Sequence, residues 1–170
     1  MKLRALEPED LDLLYSIEND GEQWDTSSVN VPYSRYVLND YLVNQSNDIF
    51  ADKQVRLVIE GDDGMAVGLI DLFNFSPEHS RAEIGLALLR SQRGRGYARL
   101  AIEKLRQYAR DIIHLHQIVA VIDEGNVASL KMLQDTGFTF IAKLPDWLRK
   151  PSGWADAVMM QLTINNDTNG

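Results

Sequence analysis

The chain has 170 residues and is 45% apolar, which suits one domain able to bury a core without covalent staples. It contains no cysteine, so disulfides, thiolate zinc sites and a cysteine nucleophile are excluded. Seventeen Lys and Arg against 25 Asp and Glu give a net charge of -8, and so acidic a chain has no general attraction for nucleic acid. Met1 to Pro8 lack the apolar run of a signal peptide, and nothing approaches the roughly 18 consecutive apolar residues of a membrane span, so a cytoplasmic location is expected.

In chain order, Leu3 to Leu6 form a short strand, and Pro8 opens a helix whose apolar residues are Leu11, Leu14 and Ile17. That helix ends near Asn19-Asp20-Gly21, and Glu22 to Tyr33 read as loop. Ser34 is a plausible N-cap for a second helix with Tyr36, Val37, Tyr41 and Leu42 on its apolar face. Residues 55–59 and 66–73 are β-type runs joined by Gly61-Asp62-Asp63-Gly64, which predicts a hairpin. A further strand, Ala82 to Leu89, leads through a glycine loop into a helix from Tyr97 with Leu100, Ala101, Leu105, Tyr108 and Ala109 on one side. Gln117 to Ile122 returns to strand, Asn126 caps a helix to about Asp135, and Gly137 stops it as a left-handed residue. Phe138 to Leu144 and Trp154 to Ile164 form a closing strand pair, and residues 165–170 form a polar tail.

Charge is spread unevenly along this plan. Residues 1–25 carry eight acids and two bases, whereas residues 90–110 carry seven bases and one acid. Most charges in such runs belong to solvated helix faces, but here the basic run coincides with the strand–loop–helix junction Arg93-Gly94-Arg95-Gly96-Tyr97-Ala98. Backbone N–H groups and the positive end of the helix dipole converge there, the two glycines keep side chains out of the way, and Arg90, Arg93, Arg95 and Arg99 add positive charge. The junction therefore predicts a polyphosphate cradle. A dinucleotide fingerprint would need glycine where Arg99 stands, and a P-loop would need Gly-Lys-Ser/Thr, which is absent.

The junction resembles the GNAT superfamily of acetyl-CoA-dependent N-acetyltransferases, whose pyrophosphate loop reads Arg/Gln-x-x-Gly-x-Gly/Ala. Asn126-Val127-Ala128-Ser129 and Gly137-Phe138 resemble the Asn-x-x-Ser…Gly-Phe signature of the branch containing ribosomal-protein N-terminal and spermidine acetyltransferases. The resemblance implies one α/β domain over residues 1–164, with a mixed, mostly antiparallel central sheet splayed in the middle and flanked by about four helices. It further implies that main-chain groups of Ala87, Leu88 and Leu89 hold the pantetheine arm. Amides from Gly94 through Gly96, Tyr97 and Ala98 to Arg99 would hold the pyrophosphate. Asn126 and Ser129 would lie beside the thioester, Asn126 being otherwise a plain N-cap and Ser129 a polar early-helix residue.

Glu83 interrupts an apolar strand and matches the family position of a general base, which the chemistry needs because an amine near pKa ~10.4 is almost wholly protonated at neutral pH. The alternative for Glu83 is an ion pair with Arg81 or Arg56. Many family members protonate the departing thiolate from a tyrosine four residues before the Gly-Phe pair. Here that position is Leu133, leaving Ser129 as the candidate donor, or thiolate departure without an acid. The acceptor is expected at Trp24, Asp25, Tyr33 and Tyr36, with Asp71 orienting its ammonium, since rings and acids suit an organic cation. A small amine such as a polyamine leads narrowly over a peptide N-terminal amine, although residues 26–39 lack the acids that spermidine acetyltransferases carry there. A non-catalytic acyl-CoA sensor is the competing class. His79, His114 and His116 show no metal-ligand spacing, so acetyl-CoA is the sole cosubstrate expected; no nucleic-acid or membrane partner is expected, and a homo-oligomer is compatible.

Overall fold

Residues 55–88 set the frame, because three consecutive runs of alternating β-formers can pair with their neighbours through tight turns. The computed structural model describes residues 1–20 and 31–164. Its strands are β1 (Lys2–Ala5), β2 (Val55–Glu60), β3 (Ala66–Ser76), β4 (Arg81–Leu88), β5 (Gln117–Asp123), β6 (Thr139–Lys150) and β7 (Gly153–Thr163). They form one seven-stranded sheet in the order β1-β2-β3-β4-β5-β7-β6. Every neighbouring pair is antiparallel except β4 and β5.

That parallel pair matters most. It consists of three residue pairs, Arg81–Gln117, Ala82–Ile118 and Glu83–Val119. Beyond them β4 continues along β3 to Leu88 while β5 continues along β7 to Asp123, so the sheet opens above Glu83.

The described helices are α1 (Leu11–Glu18), entered through a 3-10 turn at Pro8–Asp10, α2 (Arg35–Asn44), α3 (Ile49–Asp52), α4 (Tyr97–Tyr108) and α5 (Val127–Asp135). A π-helical turn, Ala109–Ile113, prolongs α4. Helix α4 lies on one face of the sheet, burying Ala101, Ile102 and Leu105 in a core shared with Ile59, Ile70, Leu72, Ile118 and Met160. Helices α1 and α2 cover the other face, where Leu14, Ile17, Leu38 and Leu42 meet Val58 and Leu69. Full burial of a side chain such as Leu14 contributes about 2 kcal/mol. Among the described residues, no helix is long and apolar enough to cross a membrane.

The helix ends follow their sequence signals. Ser34 Oγ accepts from the Val37 N–H at 3.1 Å, capping α2. Helix α5 closes in a Schellman turn: Phe138 N–H reaches the Leu133 carbonyl at 3.0 Å, Gly137 N–H reaches Gln134 at 3.0 Å, and Gly137 has φ +98°. Three expectations need correction. The buried face of α2 is Leu38 and Leu42, with Tyr36 and Val37 exposed, because the 3.6-residue period and not the apolar count decides which side meets the sheet. Leu100 of α4 is exposed for the same reason, and Ile102 takes the buried place. Strand β6 runs past Leu144 to Lys150, since the register shift between Leu144 and Leu148 admits Pro145 within an edge strand.

Candidate active site

Leu89 begins a single 3-10 turn, Arg90–Gln92, that carries the chain from β4 to the glycine loop. Gly94 (φ +76°) and Gly96 (φ +81°) both take the left-handed conformation, and Gly96 is the N-cap residue of α4. Among the described residues no side chain caps this helix, so the first-turn amides at Tyr97, Ala98 and Arg99 point outward together with the positive end of the dipole. A Cβ on either glycine would meet nothing within 4 Å among the described residues, so glycine is required by backbone conformation.

The arginines are divided. Arg90 binds the Asp20 carboxylate at 2.6 Å, and Arg93 approaches the same carboxylate at 3.6 Å, tying the loop to the end of α1. Arg99 pairs with Glu103 one turn along α4. Among the described residues Arg95 makes no ion pair, which leaves its guanidinium available to an anion. Exposed amides, a helix N-terminus and one uncommitted guanidinium form a donor set that fits a diphosphate.

From this cradle the gap between β4 and β5 leads down to Glu83. Leu89 N–H is engaged by the Val67 carbonyl of β3 at 3.0 Å. Because main-chain groups alternate in direction along a strand, Leu88 turns its own toward the gap, where its carbonyl accepts from Arg93 Nε at 3.4 Å. Ala87 and Leu89 instead set their side chains against the α1–α2 core. Across the gap, Asn126 Oδ1 accepts from Ser129 N–H at 3.2 Å, so Asn126 does cap α5. The Ser129 residue is half-buried in the first turn.

Glu83 is half-buried and makes no ion pair among the described residues. Its Oε1 accepts from Asn74 Nδ2 at 3.1 Å. Asn74 gave no signal in the sequence reading. It sits at φ +48° within the register shift between Phe73 and Ser76, and this bulge turns its amide onto the carboxylate. Both residues line a cavity of about 430 Å³ at the closed end of the β4–β5 gap, together with Arg81, Gln117, Val119 and Met159.

Asp71, two residues before Phe73 on the same face, is placed differently from Glu83. Arg56 Nε and Nη2 donate to its two carboxylate oxygens at 2.9 and 2.8 Å, and Arg56 Nη1 donates to Glu18 Oε1 at 2.6 Å. Burial works against the Arg56 charge, but Asp71 and Glu18 outweigh it and hold the guanidinium protonated above its ordinary range. Arg56 also lies 5.7 Å from the Tyr41 ring, whose hydroxyl burial pushes up in pKa.

The fold agrees with what is found in known proteins. Residues 1–139 match the family model described as an acetyltransferase (GNAT) domain. The chain belongs to the GNAT acetyltransferase family. It is 26% identical over 148 residues to spermidine N(1)-acetyltransferase of Escherichia coli K12, covering 85% of this chain and 75% of that one. It is 28% identical over 151 residues to an L-amino acid N-acyltransferase of the same organism, covering 81% and 84%. A crystal structure of spermidine N-acetyltransferase from Vibrio cholerae in complex with CoA and spermine superposes with a TM-score of 0.84 at 23% identity, over 96% of this chain and 95% of that one. The seven-stranded, mostly antiparallel sheet and its flanking helices are thus those of a GNAT fold, and the family uses an acyl-CoA.

Within this GNAT domain the remaining expected residues are scattered. Leu133 is 3% exposed and packs in the main core, so the position that the sequence resemblance marks for a tyrosine serves here to anchor α5. Tyr33 is half-buried against the α1–α2 core, and Asn19 clasps its main chain, donating to its carbonyl at 3.0 Å and accepting from its N–H at 2.8 Å. Tyr36 is 81% exposed. Trp24, Asp25 and the tail 165–170 lie outside the described residues. With Asp71 held by Arg56, the expected cage of rings and acids does not assemble among the described residues.

Proposed function

We propose that the protein transfers the acetyl group of acetyl-CoA to a small primary amine, the amine attacking the thioester directly in a ternary complex. One observation carries the reading. Glu83 stands at the vertex where β4 and β5 part, with a cavity at one side and the open gap leading to the Gly94–Arg99 amides at the other.

Bound acetyl-CoA supplies the activated acyl carbon, and the chain's residues do the rest. Leu88 offers main-chain groups to the pantetheine arm, while the amides of residues 94–99 and the Arg95 guanidinium hold the diphosphate. At pH 7 only about one amine in 2,500 is unprotonated if its pKa is near 10.4. Glu83, oriented by Asn74, accepts the ammonium proton directly or through one water as the nitrogen forms its bond to the acyl carbon. The C–S bond then breaks. As it does, the attacking nitrogen, still carrying two protons, gives one to water; the departing sulfur takes the Ser129 hydroxyl proton, which that water-borne proton replaces, or leaves as thiolate, which a thiol of pKa ~8.5 permits.

The relatives divide between a polyamine and an amino acid as acceptor. Self-association belongs to the same reading, supported by Phe140, Trp147 and Trp154, which stand exposed on the edge hairpin β6–β7.

The test is release of free thiol from acetyl-CoA with a panel of primary amines, for wild type and Glu83→Gln. Turnover with at least one amine, lowered about 10²- to 10⁴-fold in Glu83→Gln with acetyl-CoA binding retained, supports the reading. Binding without turnover on any amine indicates an acyl-CoA sensor. Full activity in Glu83→Gln removes the base assignment.

A further inference from the structure

The cavity beside Glu83 carries two opposite charges that do not neutralise each other. Arg81 and Glu83 are two residues apart on β4, so both side chains stand on the same face with α-carbons roughly 7 Å apart along the strand. No ion pair joins them, and among the described residues Arg81 has no ionic partner at all. The contrast with Arg56 is direct, since that guanidinium is held by two carboxylates. The cavity's other polar groups include the uncharged amides of Asn74 and Gln117, and Val119 and Met159 give it an apolar wall.

From this arrangement we infer that the acceptor is a zwitterion: an α-amino acid with an aliphatic side chain, its carboxylate on Arg81 and its ammonium on Glu83. The inference rests on the role of Glu83 set out above. A planar guanidinium matches a carboxylate with two parallel N–H···O bonds, whereas it repels the second and third ammonium groups of a polyamine. A polyamine needs carboxylates spaced along its length, and among the described residues Glu83 is the acid this cavity supplies. A peptide N-terminus carries no carboxylate beside its amine and leaves Arg81 without a partner. The aliphatic side chain of the amino acid lies against Val119 and Met159, and the cavity of about 430 Å³ accommodates a molecule of that size.

The experiment measures kcat and KM by thiol release for leucine, methionine and valine, for the amines left when their carboxylate is removed, for leucinamide and for spermidine. Wild type and Arg81→Gln are compared. The expected result is a kcat/KM for at least one amino acid about tenfold or more above its decarboxylated amine and above leucinamide. In Arg81→Gln the amino acid KM rises about 10- to 100-fold, and the preference collapses to within about twofold. Arg81→Lys restores part of it, because charge returns without the fork. Preference for spermidine, leucinamide or the decarboxylated amines overturns the inference and leaves acetyl transfer standing. So does a preference for amino acids that survives Arg81→Gln. If no amine releases thiol, acetyl transfer falls, and thermal unfolding of the CoA complex decides the inference. Stabilisation by an amino acid in wild type but not in Arg81→Gln supports it, and no stabilisation in wild type overturns it.

Discussion

Gly96→Ala separates the two reasons a glycine can stand at the head of α4. The residue has φ +81° and ψ 0°, and an added Cβ meets nothing within 4 Å, so the substitution adds backbone strain without a clash. Holding an L-residue in that conformation costs about 1–2 kcal/mol, which for a chain of this length lowers Tm by roughly 2–8 °C. Gly64, in the turn between β2 and β3, supplies the control, with φ +79° and again no atom within 4 Å. Gly64→Ala should lower Tm by the same few degrees and leave CoA affinity intact. In Gly96→Ala the free protein relieves the strain by rotating the first-turn amides, so its Tm should fall less than that of Gly64→Ala, and CoA, which has to restore those amides, should bind about 5- to 30-fold more weakly, the same 1–2 kcal/mol read as binding. Calorimetric titration of CoA and thermal unfolding of both variants give the comparison. Equal CoA affinity in the two variants would refute a main-chain cradle at Gly96.

Three other substitutions test the frame around the site. Asp10 is buried, bonded by Arg4 at 2.7 and 2.8 Å and by the Glu7 N–H; burial alone would raise its pKa, but these partners hold it below the ordinary carboxylate value. Its contribution is therefore present above the unfolded pKa of about 3.9 and lost as pH falls through the lower folded value, so Asp10→Asn should cost about 2–3 kcal/mol at pH 7 and flatten the acid limb of urea midpoints between about pH 2 and 7. Arg56→Met leaves Asp71 and Glu18 half-buried and unpaired, and should destabilise by about 2–4 kcal/mol in urea, with part recovered on adding Asp71→Asn. Asn126→Ala removes the α5 cap and should cost about 1 kcal/mol in thermal unfolding, whereas Asn126→Asp retains the cap and most of the stability.

The glycine turns, the helix caps and the antiparallel meander were legible because each depends on local chemistry. Gly94, Gly96 and Gly137 are needed for positive φ, Ser34 and Asn126 for capping, and the alternating runs at 55–88 for a meander. What escaped the sequence depends on contacts made only after folding. Helix α3 has four residues, too few for any periodicity, and ends at Lys53 with φ +57°. Asn74 reaches Glu83 through a bulge whose position follows from cross-strand register. Asp71 looked like an acceptor ligand because it is an acid on the strand before that of Glu83, but the pairing of β2 with β3 sets Arg56 directly opposite it. Tyr36 and Val37 drew attention as large apolar residues in a helix whose buried side is fixed by Leu38 and Leu42, four residues apart. Leu133 shows the converse case, a missing functional group explained by a core contact.

The most direct measurement is an amide-resolved NMR titration of the ¹⁵N-labelled protein with CoA and, separately, with inorganic pyrophosphate. Saturable shifts of the Gly94 to Arg99 amides with both ligands, with Leu88 added for CoA alone, are expected. Shifts confined to other parts of the chain, or none with CoA, would contradict a diphosphate cup at the start of α4.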